Sequence, residues 1–239
     1  MEDKPTICET FSNQLVSELN RRLFTFNGFL LRSLLFHLVT KRTGFGETGF
    51  RNFTNNKRPV RTPADLKGLK IRVQPIPLYI EMVKALGAEP SPIAWSELPN
   101  ALTTNVVDGQ ENPVGTIYNN NVHKLQKYMI LDGHNYAADF ILINDEFYDY
   151  LDPADRAVVA RAARIAGTMS RAIQQFNTAE ALGKVIDEGM QVHAPSAAEL
   201  EQFRALARPA VKAWLTEELG DDAGWIDRLE AAVAEAQAD

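Results

Sequence analysis

Arg72, within the segment KIRV, has side-chain chemistry suited to binding a negatively charged group. Its guanidinium presents a flat pair of N–H donors that matches a carboxylate, and it keeps its charge at every physiological pH. Charge-assisted hydrogen bonds of this kind contribute roughly 1.5–3 kcal/mol each. Arg72 falls at the end of a predicted strand, and open α/β sheets bind ligands at that edge. The alternative is an ion pair between Arg72 and a carboxylate of the core.

A polar cluster, NVVDGQENP, occupies residues 105–113 and ends on a proline. Asn112 directly before Pro113 is typical of the cap of a helix that begins at the proline. We expect Gly109 to permit a tight turn. Glu111 would repel an anionic ligand, so its expected role is to hold an arginine or nearby backbone amides. Either this segment is only a turn before a helix, or one of its side chains contacts a ligand.

The composition argues against several classes of protein. The formal net charge is −6 over 239 residues, and the absence of a long basic run argues against nucleic-acid binding. The single cysteine, Cys8, excludes an intrachain disulfide and a multi-cysteine metal site. The four histidines are far apart and lack metalloprotease spacing, so we predict neither a metal nor a cofactor. They are His37, His123, His134 and His193.

The most apolar stretch is FNGFLLRSLLFHLV, which Arg32 and His37 interrupt. A membrane-spanning helix requires ~18 or more consecutive apolar residues, and this stretch is shorter. It also lacks the small-residue cleavage pattern of a signal peptide. We therefore expect neither a membrane span nor an export signal in the printed sequence.

The segment GFGETG, residues 44–49, matches the letters of the G-x-G-x-x-G dinucleotide fingerprint. That fingerprint requires a strand before it and a helix after it, so that the helix N-terminus meets a pyrophosphate. Here a helical pattern precedes the glycines and FRNFTNNKRP follows without helical character. We predict a flexible loop, and a nucleotide-dependent enzyme is the weakest of the functional alternatives.

The positions of glycine, proline and helix-capping residues predict three regions in the chain. Residues 1–43 are predicted to be helical, and residues 44–63 form a connector rich in glycine and asparagine. From Thr62 onward, strands alternate with helices separated by short loops, which indicates an α/β fold with a largely parallel sheet. The longest helical pattern is capped by Asp152 and would extend about 50 Å if unbroken. The strands are predicted at LKIRV, YMIL, DFILIN and MQVHAP.

Three segments in this order resemble one known family. They are GFRNFTNNKRPVRTPADLKGLKIRV, ALGAEPSPIAWSEL and NVVDGQENP. Together they are similar to the DctP-type solute receptors of tripartite ATP-independent periplasmic (TRAP) transporters, from about Gly49 to the C-terminus. The resemblance implies a type II periplasmic-binding-protein fold, in which two α/β lobes close over a small organic acid and a long helix braces both. It also implies no catalytic activity, and a partnership with the membrane permease subunits of the transporter.

The resemblance assigns five residues to the ligand. Arg72 matches the arginine that pairs with the ligand carboxylate, and Asn112 matches the asparagine whose amide donates to it. Arg51 matches a second arginine at the other polar end of the ligand, while Trp95 and His134 match pocket walls. The alternatives are a solvated loop arginine for Arg51, core packing for Trp95 and a satisfied loop histidine for His134.

The sequence departs from the family before Gly49. We expect an atypical helical segment at 1–48, a ligand-binding α/β lobe at 49–145, and a bracing helix with C-terminal helices at 146–239. The first lobe is then incomplete, ligand binding is impaired, and uncovered apolar surface favours self-association. Localisation is expected to be periplasmic by resemblance. The alternative function is a non-functional remnant, or a helical interaction or sensor protein without ligand binding.

Overall fold

The computed structural model describes residues 40–238, and the statements below concern that part of the chain. Most of the helical segment predicted over residues 1–43, namely residues 1–39 with Cys8 and His37, lies outside the described residues. The strands are β1 (Thr40–Asn55), β2 (Lys70–Val73), β3 (Glu89–Pro92), β4 (Gly109–Pro113), β5 (Tyr128–Ile130), β6 (Asn135–Asn144) and β7 (Gln191–His193). The α-helices are α1 (Pro77–Ala85), α2 (Leu98–Thr103), α3 (Val114–Asn119), α4 (Asp145–Tyr150), α5 (Pro153–Asp187), α6 (Ala197–Leu219) and α7 (Gly224–Ala238).

The described residues fall into two compact units. One contains residues 40–46, 139–170 and 221–238. The other contains Glu47–Ala138 and Arg171–Gly220, and it holds every ligand-binding residue predicted from the sequence. The division at residues 48 and 145 stays a prediction.

The sheet confirms the predicted α/β fold and corrects one feature of it. Its strand order is β3-β2-β4-β1-β5-β7, with β6 paired to β1. Parallel pairs join β2 to β3, β2 to β4, and β5 to β7. The strand in the middle, β1, is antiparallel to both β4 and β5. The sheet is therefore mixed, whereas the sequence predicted a largely parallel one.

Strand β1 replaces three features predicted from the sequence. The last residues of the predicted helix, the flexible GFGETG loop and the first part of the connector all lie in this 16-residue strand. The loop prediction was wrong because glycine is needed here for close packing of β1 against α5 and not for flexibility. A Cβ at Gly44 would lie 2.5 Å from the carbonyl oxygen of Ala163. Since β1 continues to Asn55 without a helix, the dinucleotide fingerprint lacks its required context.

Strand β4 corrects the predicted turn at NVVDGQENP. Asn112 lies inside β4, and Pro113 is the N-cap residue of α3, so Asn112 does not cap that helix. Gly109 also lies in the strand, where an added Cβ would stand 2.0 Å from the backbone oxygen of Thr54. Glycine is needed at this position because β1 approaches closely, and not because the chain turns.

Helices cover both faces of the sheet within the unit formed by Glu47–Ala138 and Arg171–Gly220. On one face Phe53, Ile71 and Val73 pack with α1 and with Phe203 of α6. On the other face Met129 packs with residues of α2, α3 and the C-terminal half of α5. The sheet is thus the middle layer of three, and each face has its own apolar core.

Several local signals in the sequence are confirmed. Thr62 and Asp65 form a capping box around a short 3₁₀ helix that begins at Pro63. The side chain of Asp152 accepts hydrogen bonds from the backbone N–H groups of Ala154 and Asp155, which caps α5 as predicted. Helix α5 has 35 residues, which corresponds to about 50 Å at the α-helical rise. Among the helices of residues 40–238, none is long and apolar enough to cross a membrane.

Candidate functional site

The alternation of side chains along the strands divides the predicted ligand residues between the two faces of the sheet. Arg72 of β2 pairs with Gln110 of β4, so both side chains share a face with Asn112, two residues further along. Arg51 of β1 pairs with Pro113, which puts it on the opposite face together with Glu111. The structure therefore brings Arg72 and Asn112 together, and it places Arg51 in a separate cluster.

Arg72 is a buried cation whose donors are only partly used. Its residue surface is 1% exposed. Nε donates to the backbone oxygen of Ile93 at 2.8 Å, and the guanidinium carbon lies 5.8 Å from the ring centroid of Trp95. Nη1 is buried and has no hydrogen-bond partner within residues 40–238. The alternative of an ion pair with a core carboxylate is not realised in the described part of the chain.

The electrostatics of Arg72 favour an incoming anion. Burial lowers its pKa from the ordinary value because the charged form loses hydration. The charge of Glu111 works in the opposite direction, whereas the positive charge of Arg51 lowers the pKa of Arg72 further. A carboxylate beside Nη1 would satisfy the unpaired donor and compensate a buried charge at the same time.

Asn112 is another buried polar residue on this face. It is 4% exposed, and its side-chain amide donates to the side-chain oxygen of Gln110. Since Gln110 is the partner of Arg72 in the sheet, Asn112 lies two residues beyond that partner on the neighbouring strand, on the same face as Arg72.

Trp95 belongs to the surface of this region. Its residue surface is 43% exposed, which contradicts the alternative of ordinary core packing. The indole face is directed at the Arg72 guanidinium, and such a cation–π contact contributes about 0.5–1 kcal/mol at exposed sites. The predicted role of Trp95 as a pocket wall stays a prediction.

Arg51 is paired with a carboxylate on the opposite face. Its Nη2 donates to Glu111 Oε1 at 2.8 Å and to the Glu111 backbone oxygen at 2.7 Å, and its Nε donates to Oε2. The side chains of Arg51 and Glu111 are 5% and 0% exposed. Arg51 is therefore a buried strand residue, and the alternative of a solvated loop arginine is wrong. Glu111 holds an arginine, as its chemistry predicted.

His134 extends this ion pair into a network. Nδ1 lies 2.6 Å from Asp132 Oδ2, Nε2 lies 3.3 Å from Glu111 Oε2, and the ring stacks on Phe53 at 4.2 Å between centroids. Burial alone would lower the pKa of His134, but the carboxylates of Asp132 and Glu111 outweigh it and raise the pKa to about 9. His134 is thus an imidazolium at neutral pH, with both nitrogens satisfied. Its role as a pocket wall stays a prediction.

Glu111 is ionised in this network although it is fully buried. Burial raises its pKa, but hydrogen bonds from His134 and Arg51, together with their positive charges, lower it below the ordinary value. Two cations and two carboxylates therefore alternate through space: Asp132, His134, Glu111 and Arg51. This arrangement fixes the position of Arg51 within β1. Arg51 leaves the opposite face of the sheet from Arg72, yet its charge still acts on the Arg72 guanidinium.

Sequence reasoning missed Asp132, Gln110 and Thr54. All three are buried polar residues: Asp132 is 8% exposed, and the other two are 0% exposed. The available signal was the run of polar residues in FRNFT and GQEN, which is unusual for two strands that pair at the middle of a sheet. Buried polar side chains that face each other across a pair of strands require partners, and hence a network.

Comparison with known proteins identifies the family. Residues 26–218 match the model of the bacterial extracellular solute-binding protein, family 7 (DctP). The chain belongs to this family. A relative in Escherichia coli, the 2,3-diketo-L-gulonate-binding periplasmic protein YiaO, is 35% identical over 147 residues, or 62% of this chain and 45% of the relative. The chain spans about half the length of the curated relatives that it matches.

Solved structures of TRAP periplasmic solute-binding proteins share the fold. A TRAP periplasmic solute-binding protein from Ralstonia eutropha, with bound (S)-2-acetolactate, matches with a TM-score of 0.76 and 32% identity, covering 82% of this chain and 63% of that one. Another from Roseobacter denitrificans, with bound β-D-glucuronate, gives 0.72 and 28%, covering 78% and 62%. The predicted periplasmic-binding-protein-like fold is therefore confirmed. The proteins of this family are transport receptors and not enzymes.

Proposed function

We propose that this chain is a periplasmic receptor that binds a small organic acid for a TRAP-type transporter and delivers it to the membrane permease subunits. The observation that carries the proposal is Arg72, a buried guanidinium with an unpaired N–H at the carboxyl end of a strand. The ligands of the three related proteins, 2,3-diketo-L-gulonate, acetolactate and β-D-glucuronate, are all organic acids.

Each predicted site residue has a proposed role that fits its contacts. Arg72 pairs with the ligand carboxylate through Nη1, and Asn112 donates a side-chain N–H to the same group. Trp95 covers the Arg72 guanidinium and bounds the site. Arg51 meets a second polar group of the ligand through Nη1, which does not contact Glu111 and lies 3.3 Å from the side-chain amide of Gln74. His134 holds Glu111 in place.

A ligand screen tests this function. Melting temperatures are measured with a panel of organic acids that includes β-D-glucuronate and acetolactate, and any stabilising acid is then titrated by calorimetry. We expect at least one acid to stabilise the protein, and Arg72→Ala to remove that effect. Arg208→Ala, which removes an exposed arginine of α6, is the matched control and should bind as the parent does. A folded protein that no organic acid stabilises would contradict the proposal.

A second property, self-association, is favoured by an apolar stripe on α5. Large apolar side chains recur at helical spacing along this helix, and each is about half exposed or more. They are Val158 at 62%, Ile165 at 58%, Met169 at 52%, Ile173 at 48% and Phe176 at 73%. A stripe of this kind is a typical protein–protein contact surface. We propose that two copies of the chain associate through it.

Sedimentation velocity across a range of protein concentrations tests self-association. We expect the weight-average mass to rise with concentration, and Phe176→Glu to abolish the rise because it places a charge within the stripe. Gln175→Glu, which introduces the same charge at an exposed residue on another face of the helix, is the control. A monomer at all concentrations, or association that Phe176→Glu leaves unchanged, would contradict the proposed contact.

A further inference from the structure

Four buried polar side chains form one continuous hydrogen-bonded chain that begins at Asn112. The Asn112 amide donates to Gln110 Oε1, Gln110 Nε2 donates to Thr54 Oγ1 at 2.9 Å, and Thr54 Oγ1 donates to Gln126 Oε1 at 2.9 Å. Gln126 Nε2 then donates to the backbone oxygen of Leu125 at 2.9 Å. All four side chains belong to residues that are at most 4% exposed, so water does not substitute for these partners.

The last acceptor fixes the direction of every hydrogen bond in the chain. The backbone oxygen of Leu125 can only accept, so the NH₂ group of Gln126 faces it and the Gln126 oxygen faces Thr54. The Thr54 hydroxyl must then donate to Gln126, which leaves its oxygen to accept from the NH₂ group of Gln110. The oxygen of Gln110 consequently faces Asn112, and only the NH₂ group of Asn112 complements it.

The anchor at Leu125 is itself held in place. Its backbone oxygen also accepts a hydrogen bond of 2.6 Å from Nδ2 of Asn56, so two amide donors saturate its two lone pairs. Reversing Gln126 would direct its oxygen at the Leu125 oxygen and its NH₂ group at Thr54. This would place two acceptors in contact in the core, which buried polar groups avoid.

We propose that Gln110, Thr54 and Gln126 are positioning residues that set the orientation of the Asn112 amide and make Asn112 a dedicated donor toward the ligand. One N–H of Asn112 is engaged by Gln110, and the second N–H of the same NH₂ group is left for a ligand acceptor. This inference rests on the proposed function, and it predicts that the site selects a carboxylate over a neutral group such as a carboxamide. If the amide could rotate, its oxygen would accept from a carboxamide N–H and the selection would weaken.

The test compares a variant that lacks one hydrogen bond of this series with a variant that retains it. Thr54→Val is close in shape to threonine but has no hydroxyl, whereas Thr54→Ser retains the hydroxyl. Gln126→Met, which removes the link next to the anchor, is a second variant in case Thr54→Val does not fold. Two quantities are measured: the affinity ratio of D-glucuronate to D-glucuronamide, and the hydrogen-exchange rate of the Asn112 side-chain NH₂ group by NMR.

We expect Thr54→Val and Gln126→Met to lower the affinity ratio by about tenfold, the effect of losing one oriented hydrogen bond, and to accelerate exchange of the Asn112 NH₂ protons. Thr54→Ser should stay within about twofold of the parent in the ratio. A general loss of stability would weaken both ligands equally and would not change their ratio.

Two outcomes separate this inference from the proposed function. If the parent binds D-glucuronate and both exchange and the ratio are unchanged in Thr54→Val, the positioning role is wrong and the receptor function stands. If neither the parent nor any variant binds an organic acid, the receptor function fails, and the exchange rates of the Asn112 protons still decide whether Thr54 and Gln126 fix its amide.

Discussion

Arg72 and Arg51 are both buried on opposite faces of the sheet, yet their guanidinium groups differ in hydrogen-bond partners. The Arg51 guanidinium is engaged twice by the Glu111 carboxylate, which His134 and Asp132 support in turn. The Arg72 guanidinium has one backbone acceptor and an unpaired Nη1. A buried arginine with a carboxylate partner is part of an ion pair whose disruption destabilises the fold. The proposed task of Arg72, which has no carboxylate partner in the described part of the chain, is to bind an external anion. We therefore expect removal of Arg51 to lower mainly the stability of the fold, and removal of Arg72 to lower mainly the affinity for a ligand.

The largest expected effect is on stability at Arg51. Arg51→Ala leaves the Glu111 carboxylate buried beside His134 alone, and removal of one partner of a buried ion pair costs about 3–5 kcal/mol. Urea denaturation measures the free energy of unfolding. Glu111→Gln combined with Arg51→Met, which removes both charges, should recover much of the loss. An Arg51→Ala variant as stable as the parent would show that the pair does not hold the sheet together.

The next effect is a pH dependence that originates in His134. Its pKa is about 9 in the folded protein against an ordinary value of 6.5, so the folded state holds the extra proton between these values. The stabilisation is complete below pH 6.5 and is lost as the pH rises through 9, by about 3 kcal/mol in total. Glu111 acts in the acid range instead, because its pKa is lowered and its contribution is lost only as the pH falls through that lowered value.

Unfolding free energies at pH 6 and pH 10 test this dependence. We expect the free energy of unfolding of the parent to decrease from pH 6 to pH 10. The decrease should be much smaller in His134→Gln, whose side chain is neutral at both pH values. His193→Gln, at a partly exposed histidine that pairs with Glu199, is the matched control and should behave as the parent does. An equal decrease in the free energy of unfolding in the parent and in His134→Gln would contradict a protonated His134.

The smallest of these effects is on ligand affinity at Asn112. Asn112→Asp replaces the NH₂ donor by a carboxylate next to the proposed anion position, so we expect the affinity for an organic acid to fall by at least about tenfold. Asn105→Asp makes the same change of charge at an exposed residue and is the control. Unchanged affinity in Asn112→Asp, measured by calorimetry, would leave Asn112 with a structural role only.

Much of the fold was predictable because it is encoded locally. The capping residues Thr62, Pro63 and Asp152 act on backbone groups within three residues, and β2 carries the apolar residues that fill one core. The chemistry of Arg72 was also predictable, since a guanidinium at the end of a buried strand requires an acceptor. These features depend on a few adjacent residues, so the sequence contains them directly.

The two paired strands β1 and β4 were not predictable for a physical reason. Their residues Asn52, Thr54, Gln110 and Asn112 are buried although they are polar, so the hydrophobic alternation that reveals a strand is absent. Their burial is made possible by partners in other elements, such as Gln126 and Asp132, and no local pattern shows such partners. The sequence of β1 therefore had the composition of a connector, and that of β4 had the composition of a turn.

Calorimetric titration of Arg72→Ala is the most direct measurement of whether ligand binding depends on the unpaired guanidinium. The titrant is the organic acid that the parent binds most tightly. We predict a loss of affinity of about a hundredfold or more, with a smaller loss of stability than in Arg51→Ala, because Arg72 has no carboxylate partner within the described residues. Affinity equal to that of the parent in a folded Arg72→Ala variant would contradict the account.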